Sequence, residues 1–336
     1  MEIILTGAGS SAYIGDAITS AFSKSAHHLA QSIPTTDILS HPLYYLPENS
    51  PLLLISFARS GNSPESLAVF NMVNEISHPV YHIIITCNAD GQLYNANSTK
   101  NILRILLPPE TNDKSLAMTS SFSSMMLACL LISKIDTIEA AYAPVHYLAE
   151  AVTKMINNYA ATIREIAKAP FQRAIFLGSG PLRGTAREAH LKLQELTDGK
   201  VICKCDSFLG FRHGPKAVID NSTLLVYLFS DDPYVRQYEY DLVNQINAGR
   251  KGLCQVAVFH KEITLPVDLF NFRIALKCGE MDLPDDYLCV MHVVFPQLLG
   301  MFKSLHFGLS PDSPSKSGTI SRVVTGVNIY PYKNTK

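Results

Sequence analysis

Charge is scarce in this 336-residue sequence: 17% of the residues are Asp, Glu, Lys or Arg, below the quarter typical of globular domains. The 28 basic and 29 acidic side chains nearly cancel, and they form no basic block. That excludes the electrostatic footprint of a nucleic-acid or anionic-membrane binder. A thinly charged surface is expected instead where a second copy of the chain covers part of it. Long hydrophobic runs are also lacking. MMLACLLI, from Met125, is too short to cross a bilayer. The opening MEIILTGAG has no basic stretch ahead of its apolar residues, so it does not read as a secretion signal and the expected location is the cytoplasm. Metal-ligand spacings are missing, and no metal or other cofactor is expected. The seven cysteines (Cys87, Cys129, Cys203, Cys205, Cys254, Cys278 and Cys289) are odd in number and lie mostly in apolar runs, the pattern of free core thiols in a reducing compartment. Cys203-Lys204-Cys205 has neither zinc nor redox spacing and reads as a strand.

What is present is a repeated strand–turn–helix pattern. EIILT, residues 2–6, runs into Gly7-Ala8-Gly9-Ser10-Ser11 and then a helix from about Ala12 to Phe22. Such a turn offers backbone N–H groups at a helix N-terminus, where an anion can sit. It is not a dinucleotide fingerprint, because Tyr13 stands where the third glycine is needed and the next glycine is Gly15. A second strand, PLLLISF from Pro51, is almost continuously apolar, as buried parallel strands are. It ends in Arg59-Ser60-Gly61-Asn62-Ser63-Pro64-Glu65-Ser66. One serine suffices to cap a helix. The surplus of hydroxyls there, on Ser60 and Ser63 beside Asn62, points to a phosphate site, and the Gly9-Ser10-Ser11 turn is a second place where an anion can sit. Further strands are expected at 81–87 and 102–107, followed by a hydroxyl-rich turn that includes Ser120 and a long apolar helix through Ile132.

After a helical connector (about 148–168), the second half repeats the first. AIFLGSGPLRGTARE resembles IILTGAGSSAYIGD, with Gly178 and Gly180 in the places of Gly7 and Gly9, 171 residues on. The next strand, 223–229, ends in Ser230-Asp231-Asp232, two acids where the first half has serines. Acids repel phosphate, so only the first half is expected to bind it. The helix AREAHLKLQEL carries Glu188 and Glu195 two turns apart on one side, with Lys192 between them, and His213-Gly214-Pro215 presents an imidazole from a loop. A carboxylate and an imidazole are the equipment of proton transfer on a small polar substrate. The tail from Ser310 is polar and turn-rich, but Val323, Val324, Val327 and Ile329 point to a docked element rather than a loose end.

Six segments taken together (LTGAGSSAYIGD, SFARSGNSPES, LAMTSSFSSM, LGSGPLRGTAREAHLKLQELTDGK, SFLGFRHGP and SPSKSGTISRVVTGVNIY) resemble the sugar isomerase (SIS) double-domain family, over nearly all of residues 1–332. The resemblance is to its AgaS branch, tagatose-6-phosphate ketose/aldose isomerases or galactosamine-6-phosphate deaminases. The chain is similar, more distantly, to the isomerase half of glucosamine-6-phosphate synthase. The resemblance implies an α/β fold of two tandem SIS domains, residues 1–147 binding phosphate and 148–332 carrying the catalytic helix, the HGP loop and the tail. Each domain is implied to be a mainly parallel, doubly wound sheet. It further implies Ser60 and Ser63 as phosphate ligands, Glu195 as the base between the first two sugar carbons, and His213 as the group that opens the ring, given across a dimer interface. Glu188 is implied as a supporting or hydroxyl-contacting residue. Arg322 and Ser120 are taken as further substrate contacts. Arg322 stands where glucosamine-6-phosphate synthase has an imine-forming lysine, and a guanidinium stays protonated, so no protein Schiff base is expected. Relatives carry a helical segment ahead of the first strand, whereas this sequence opens on the strand. The implied partners are a sugar phosphate and further copies of the chain in a homodimer or larger homo-oligomer. Two alternatives stay open: aldose–ketose isomerisation of a hexose 6-phosphate without deamination, and a sugar-phosphate sensor without turnover.

Overall fold

A computed structural model describes residues 1–97, 101–324 and 326–332. The chain divides into two compact units, Met1–Ser133 with Ser317–Lys336, and Lys134–Lys316.

The first unit is built on five strands: β1 (Glu2–Thr6), β2 (Ala30–Ser32), β3 (Leu52–Ala58), β4 (Val80–Thr86) and β5 (Ile102–Leu106). They form a parallel sheet in the order β2-β1-β3-β4-β5. Its helices are α1 (Ser10–Ala26), α2 (Thr35–Ser40), α3 (Pro42–Tyr45), α4 (Pro64–Ile76) and α5 (Ser120–Ser133). Parallel strands must be joined by crossovers, and the helices that make them bury both sheet faces. Hence Leu52, Leu54, Ile55 and Phe57 are all inaccessible, on alternate faces of one strand.

The second unit opens with α6 (Tyr142–Lys168), then β6 (Arg173–Gly178), α7 (Pro181–Leu196), β7 (Ile202–Asp206) and α8 (Phe208–Phe211). β8 (Thr223–Leu228), α9 (Pro233–Asn247), β9 (Cys254–Phe259), β10 (Phe272–Ala275), α10 (Asp285–His292) and α11 (Val294–His306) follow. Its sheet, also parallel, has the order β7-β6-β8-β9-β10, the same as in the first unit. The repeat extends to register. Leu5 pairs with Ile55 and Phe176 with Val226, each partner displaced by the 171 residues seen in the sequence (5 to 176, 55 to 226). Asp285–His306 is apolar enough and, at 22 residues, long enough to span a bilayer by composition, a longer stretch than the run from Met125. It is a core segment: 67% of its apolar window is buried inside the unit.

The tail sorts differently from the sequence expectation, which grouped it with the second half. Residues 317–336 belong to the first unit. Arg59 and Arg322 hold it there by hydrogen bonds, and Tyr332 packs on the apolar cluster of Ile4, Leu52 and Val69. The sequence boundary at 147/148 likewise moves to 133/134, because the connector helix is longer than its apolar pattern indicates and opens at Tyr142.

Candidate active site

In each unit the turn after the first strand is shaped by one glycine conformation. Gly9 has φ 56° and ψ −129°, and Gly180 has φ 53° and ψ −127°. This left-handed backbone is closed to most side chains. Two residues earlier a side chain would strike the helix that follows: a Cβ on Gly7 would lie 2.6 Å from the Cβ of Ser11, and one on Gly178 would meet the Leu182 backbone. Both first helices can therefore start immediately above their strands.

In the first unit this turn borders a cavity of about 160 Å³. It lies beyond the C-terminal ends of β1 and β3, where the strand order reverses, the usual ligand position in doubly wound sheets. Gly9, Ser11, Ser60, Ser63 and Arg322 line it, so the structure gathers these five sequence candidates from three segments. Asn62 and Ser120 are not among the lining residues. Asn62 braces the loop from outside: its Oδ1 accepts from Gln92 N at 3.1 Å, while Asn88 Nδ2 donates to Ser60 O at 2.8 Å. Ser120 Oγ donates to Asp113 Oδ1 at 2.9 Å.

Asp113 is a residue that sequence reading missed. Its carboxylate accepts from the backbone N–H groups of Thr119, Ser120 and Ser121 and from all three hydroxyls, at 2.5–3.2 Å. Burial alone would raise its pKa, but the bonds from Ser121 and Thr119 outweigh that and hold it at about 2. The start of α5 thus has its own fixed anion. Two further residues were overlooked on the loop that follows β3. Arg59 lines the cavity and is 6% exposed. Glu65, 9% exposed, accepts from Ser63 Oγ at 2.6 Å. The only sequence signal for either was a charged residue at the junction of a buried strand and a helix.

In the second unit α7 buries its charged side as well as its apolar one. Glu188 and Lys192 are both 0% exposed, so the stripe is not a solvated helix face. Lys192 Nζ pairs with Glu188 Oε1 at 3.0 Å and also with Glu195 Oε1. Burial pulls the lysine pKa down, but the two carboxylates overcome it and raise it, so Lys192 stays charged. Glu195 keeps some solvent access, with a side chain 16% exposed. The result is a fixed cation with one sealed and one accessible carboxylate. His213 lies beyond α8 on the exposed HGP turn, and among the described residues its ring makes no hydrogen bond to this group. Among the described residues no group of three or more His, Cys, Asp or Glu side chains could hold a metal ion.

The counterpart, in this unit, of the serine-rich loop after β3 is filled from within. Asp231 carboxylate oxygens accept from Arg236 Nη2 at 3.1 Å and Lys261 N at 3.0 Å, and pair with His260 Nδ1 at 2.5 Å. His260 Nε2 is 2.7 Å from the hydroxyl of Tyr147. Asp232 caps α9, accepting from Tyr234 N at 2.8 Å. Glu239 accepts from Ser230 N at 3.1 Å, and its burial pushes its pKa up to about 8.

A family model described as the SIS domain matches residues 2–133. Over 335 residues, covering 99% of this chain and 86% of the relative, the sequence is 39% identical to D-galactosamine-6-phosphate deaminase AgaS of Escherichia coli O157:H7. The chain belongs to the AgaS family of SIS-domain proteins. Two solved structures agree. A provisionally named tagatose-6-phosphate ketose/aldose isomerase from Clostridium novyi NT superposes with a TM-score of 0.95 at 39% identity, over 98% of this chain and 85% of that one. Tagatose-6-phosphate ketose/aldose isomerase from Escherichia coli gives 0.88 at 36% identity, over 99% and 86%. The family expectation of two tandem parallel-sheet domains therefore holds, and within this AgaS-family chain the serine-lined cavity and the Glu188–Lys192–Glu195 group are the two constellations to be assigned.

Proposed function

We propose that the chain is an amino-sugar-phosphate deaminase/isomerase converting galactosamine 6-phosphate to tagatose 6-phosphate and ammonia. The observation that carries this reading is the 39% identity, over 99% of the chain, to a relative that bears the deaminase name. The two constellations supply the parts such a reaction needs.

The cavity of the first unit is assigned to the 6-phosphate. Hydroxyls of Ser11, Ser60 and Ser63, which line the cavity, donate to an anion without a dense positive charge. Ser63 then gives up its bond to Glu65, so the loop has a donor ready to turn. His213 assists ring opening, protonating the ring oxygen as the anomeric hydroxyl loses its proton. Its exposure suits a group given to a neighbouring copy in a homodimer, and the cytoplasm is the proposed location. Glu195 takes the proton from carbon 2 and returns it to carbon 1 through an enaminol. The ketimine so formed is hydrolysed by water, which releases ammonia and leaves the ketose. Lys192 holds the Glu195 carboxylate in place and Glu188 balances the lysine's charge. Arg322 serves the site as structure rather than as an imine former, since its guanidinium is engaged by Asp113 O and Asn112 Oδ1.

The isomerase name of the E. coli structural relative favours a second reading, proton transfer without loss of nitrogen. One assay separates them. Incubation with galactosamine 6-phosphate and, separately, glucosamine 6-phosphate should release stoichiometric ammonia and ketose from the galacto sugar. Ketose formation from a hexose 6-phosphate with no ammonia from either amino sugar would establish the isomerase, and binding without any turnover would establish a sensor.

A further inference from the structure

Arg322 is fastened to the first unit at both its backbone and its side chain. Arg59 Nη2 donates to the Arg322 carbonyl at 2.7 Å. The Arg322 guanidinium donates in turn to the Asp113 carbonyl, at 3.1 Å from Nε and 2.6 Å from Nη2, and to Asn112 Oδ1 at 3.0 Å. Arg59 Nη1 reaches the carbonyls of Ser115 at 3.1 Å and Leu116 at 2.9 Å. Two guanidinium groups thus stitch together three segments distant in sequence: the loop after β3, residues 112–116, and the tail. The next two tail residues, Val323 and Val324, line the cavity together with Ser60 and Ser63.

A guanidinium carries five donors in a rigid plane and can satisfy carbonyls on two segments at once, which an ammonium on a flexible stem does poorly. We infer that Arg59 is a positioning residue: through the carbonyl of Arg322 it sets the tail as one wall of the phosphate cavity, and so couples anion binding to tail docking. The inference rests on the cavity being the seat of the phosphate. Coupling of this kind is reciprocal: whatever docking adds to the affinity for the anion, the anion adds to docking. Covering the anion also withdraws it from water into surroundings of lower dielectric constant, in which each hydrogen bond to it is stronger.

Trypsin reads the clasp directly, because cleavage after Arg322 requires that side chain to leave Asp113 and Asn112. In the full-length protein inorganic phosphate should slow this cut, followed by intact mass. Arg59→Ala should speed it about tenfold without ligand and abolish the protection. It should also raise KM for galactosamine 6-phosphate about tenfold with kcat changed less than about threefold, the scale of one or two lost charge-assisted bonds. Arg59→Lys should fall between the two in both readouts. Asn112→Ala, which leaves Arg59 in place, should speed the cut less than Arg59→Ala. These two variants decide the matter if Arg59→Ala does not fold. A raised KM with an unchanged cutting rate would make Arg59 a substrate contact and overturn the inference, as would an unchanged KM. Faster cutting in Arg59→Ala with no phosphate protection of the native protein would keep the clasp and remove phosphate from the cavity.

Discussion

The two units share strand order, register and the conformation of one glycine, yet their strand-end loops have opposite contents. After β3 the chain spends five residues before Pro64, and four of the side chains there are Arg59, Ser60, Asn62 and Ser63. After β8 the corresponding loop, residues 229–232, is one residue shorter, and Pro233 opens α9 169 rather than 171 residues after Pro64 opens α4. The shorter loop seats Asp231 against Arg236 and His260. One step of comparison recurs inside the helices. Phe70 and Glu239 stand at the same distance from their opening prolines, both buried, one apolar and the other a carboxyl group held near its neutral form. The lesson is that a duplicated scaffold keeps its backbone geometry while the polar inventory at the strand ends decides what each copy does. In the first unit hydroxyls of Ser11, Ser60 and Ser63 line a cavity, and in the second the carboxylates of Asp231, Asp232 and Glu239 are held by internal donors.

The largest effect expected from breaking this division is at the second unit's carboxylate. Glu195→Gln should lower kcat about 10³-fold and stop exchange of the carbon-2 hydrogen with deuterated water, while sugar-phosphate binding persists. Normal exchange in that variant would remove Glu195 from the role. Next in size, importing the second unit's chemistry into the first by Ser60→Asp with Ser63→Asp should raise KM about 100-fold, the scale of two lost bonds to a charged group. Asp is a good residue at the start of a helix, but at position 63 it meets Glu65, which now accepts from Ser63 Oγ. A thermal melt should therefore check that the variant keeps the native fold, and Ser60→Ala with Ser63→Ala should also raise KM. An unchanged KM would place the phosphate elsewhere.

The smallest effects are on stability, and they have opposite signs in the two units. Glu239 has a folded pKa raised to about 8, so its contribution is complete below about pH 4.5 and is lost as pH rises through 8. Urea midpoints of the native protein should therefore fall between pH 5 and pH 8, by at most about 1.4 kcal/mol per pH unit, and Glu239→Gln should flatten that fall. Asp113 has a folded pKa lowered to about 2, so its contribution is present above about pH 4 and is lost as pH falls through 2. Asp113→Asn should weaken the protein by about 1 kcal/mol at every pH above about 4, a figure discounted for the partial exposure of the carboxylate, and leave the slope between pH 5 and pH 8 unchanged. Parallel pH profiles for the two variants would mean that neither carboxyl carries the burden assigned to it.

Much of this organisation was legible in the residues. Near-continuous apolar runs marked the buried strands, and the GAGSS and GSGPL turns marked the repeat. Of the five named members of the cavity wall, Gly9, Ser11, Ser60 and Ser63 stand in glycine- and hydroxyl-rich turns at strand ends, whereas Arg322 was named from the family resemblance. What escaped has a common physical cause. Asp113 reads as one more acid in a polar loop, and only the fold shows it capping three successive N–H groups. Arg59 and Glu65 look like ordinary surface charge until the tail and α4 cover them. Asn62 and Ser120 were taken for ligand contacts because their chemistry fits; within the protein Asn62 Oδ1 accepts from Gln92 N and Ser120 Oγ donates to Asp113. β2, three residues long, and α8, four residues long, carry too few side chains for a periodic signal.

One consequence follows from the tail's allegiance to the first unit. A ribosome working from residue 1 finishes the first sheet early, yet the segment that completes this unit emerges only after the whole of Lys134–Lys316 has been made. The earlier-synthesised sheet is thus the last to be finished, and a stop codon just after Lys316 would damage a part of the molecule far from it in the message.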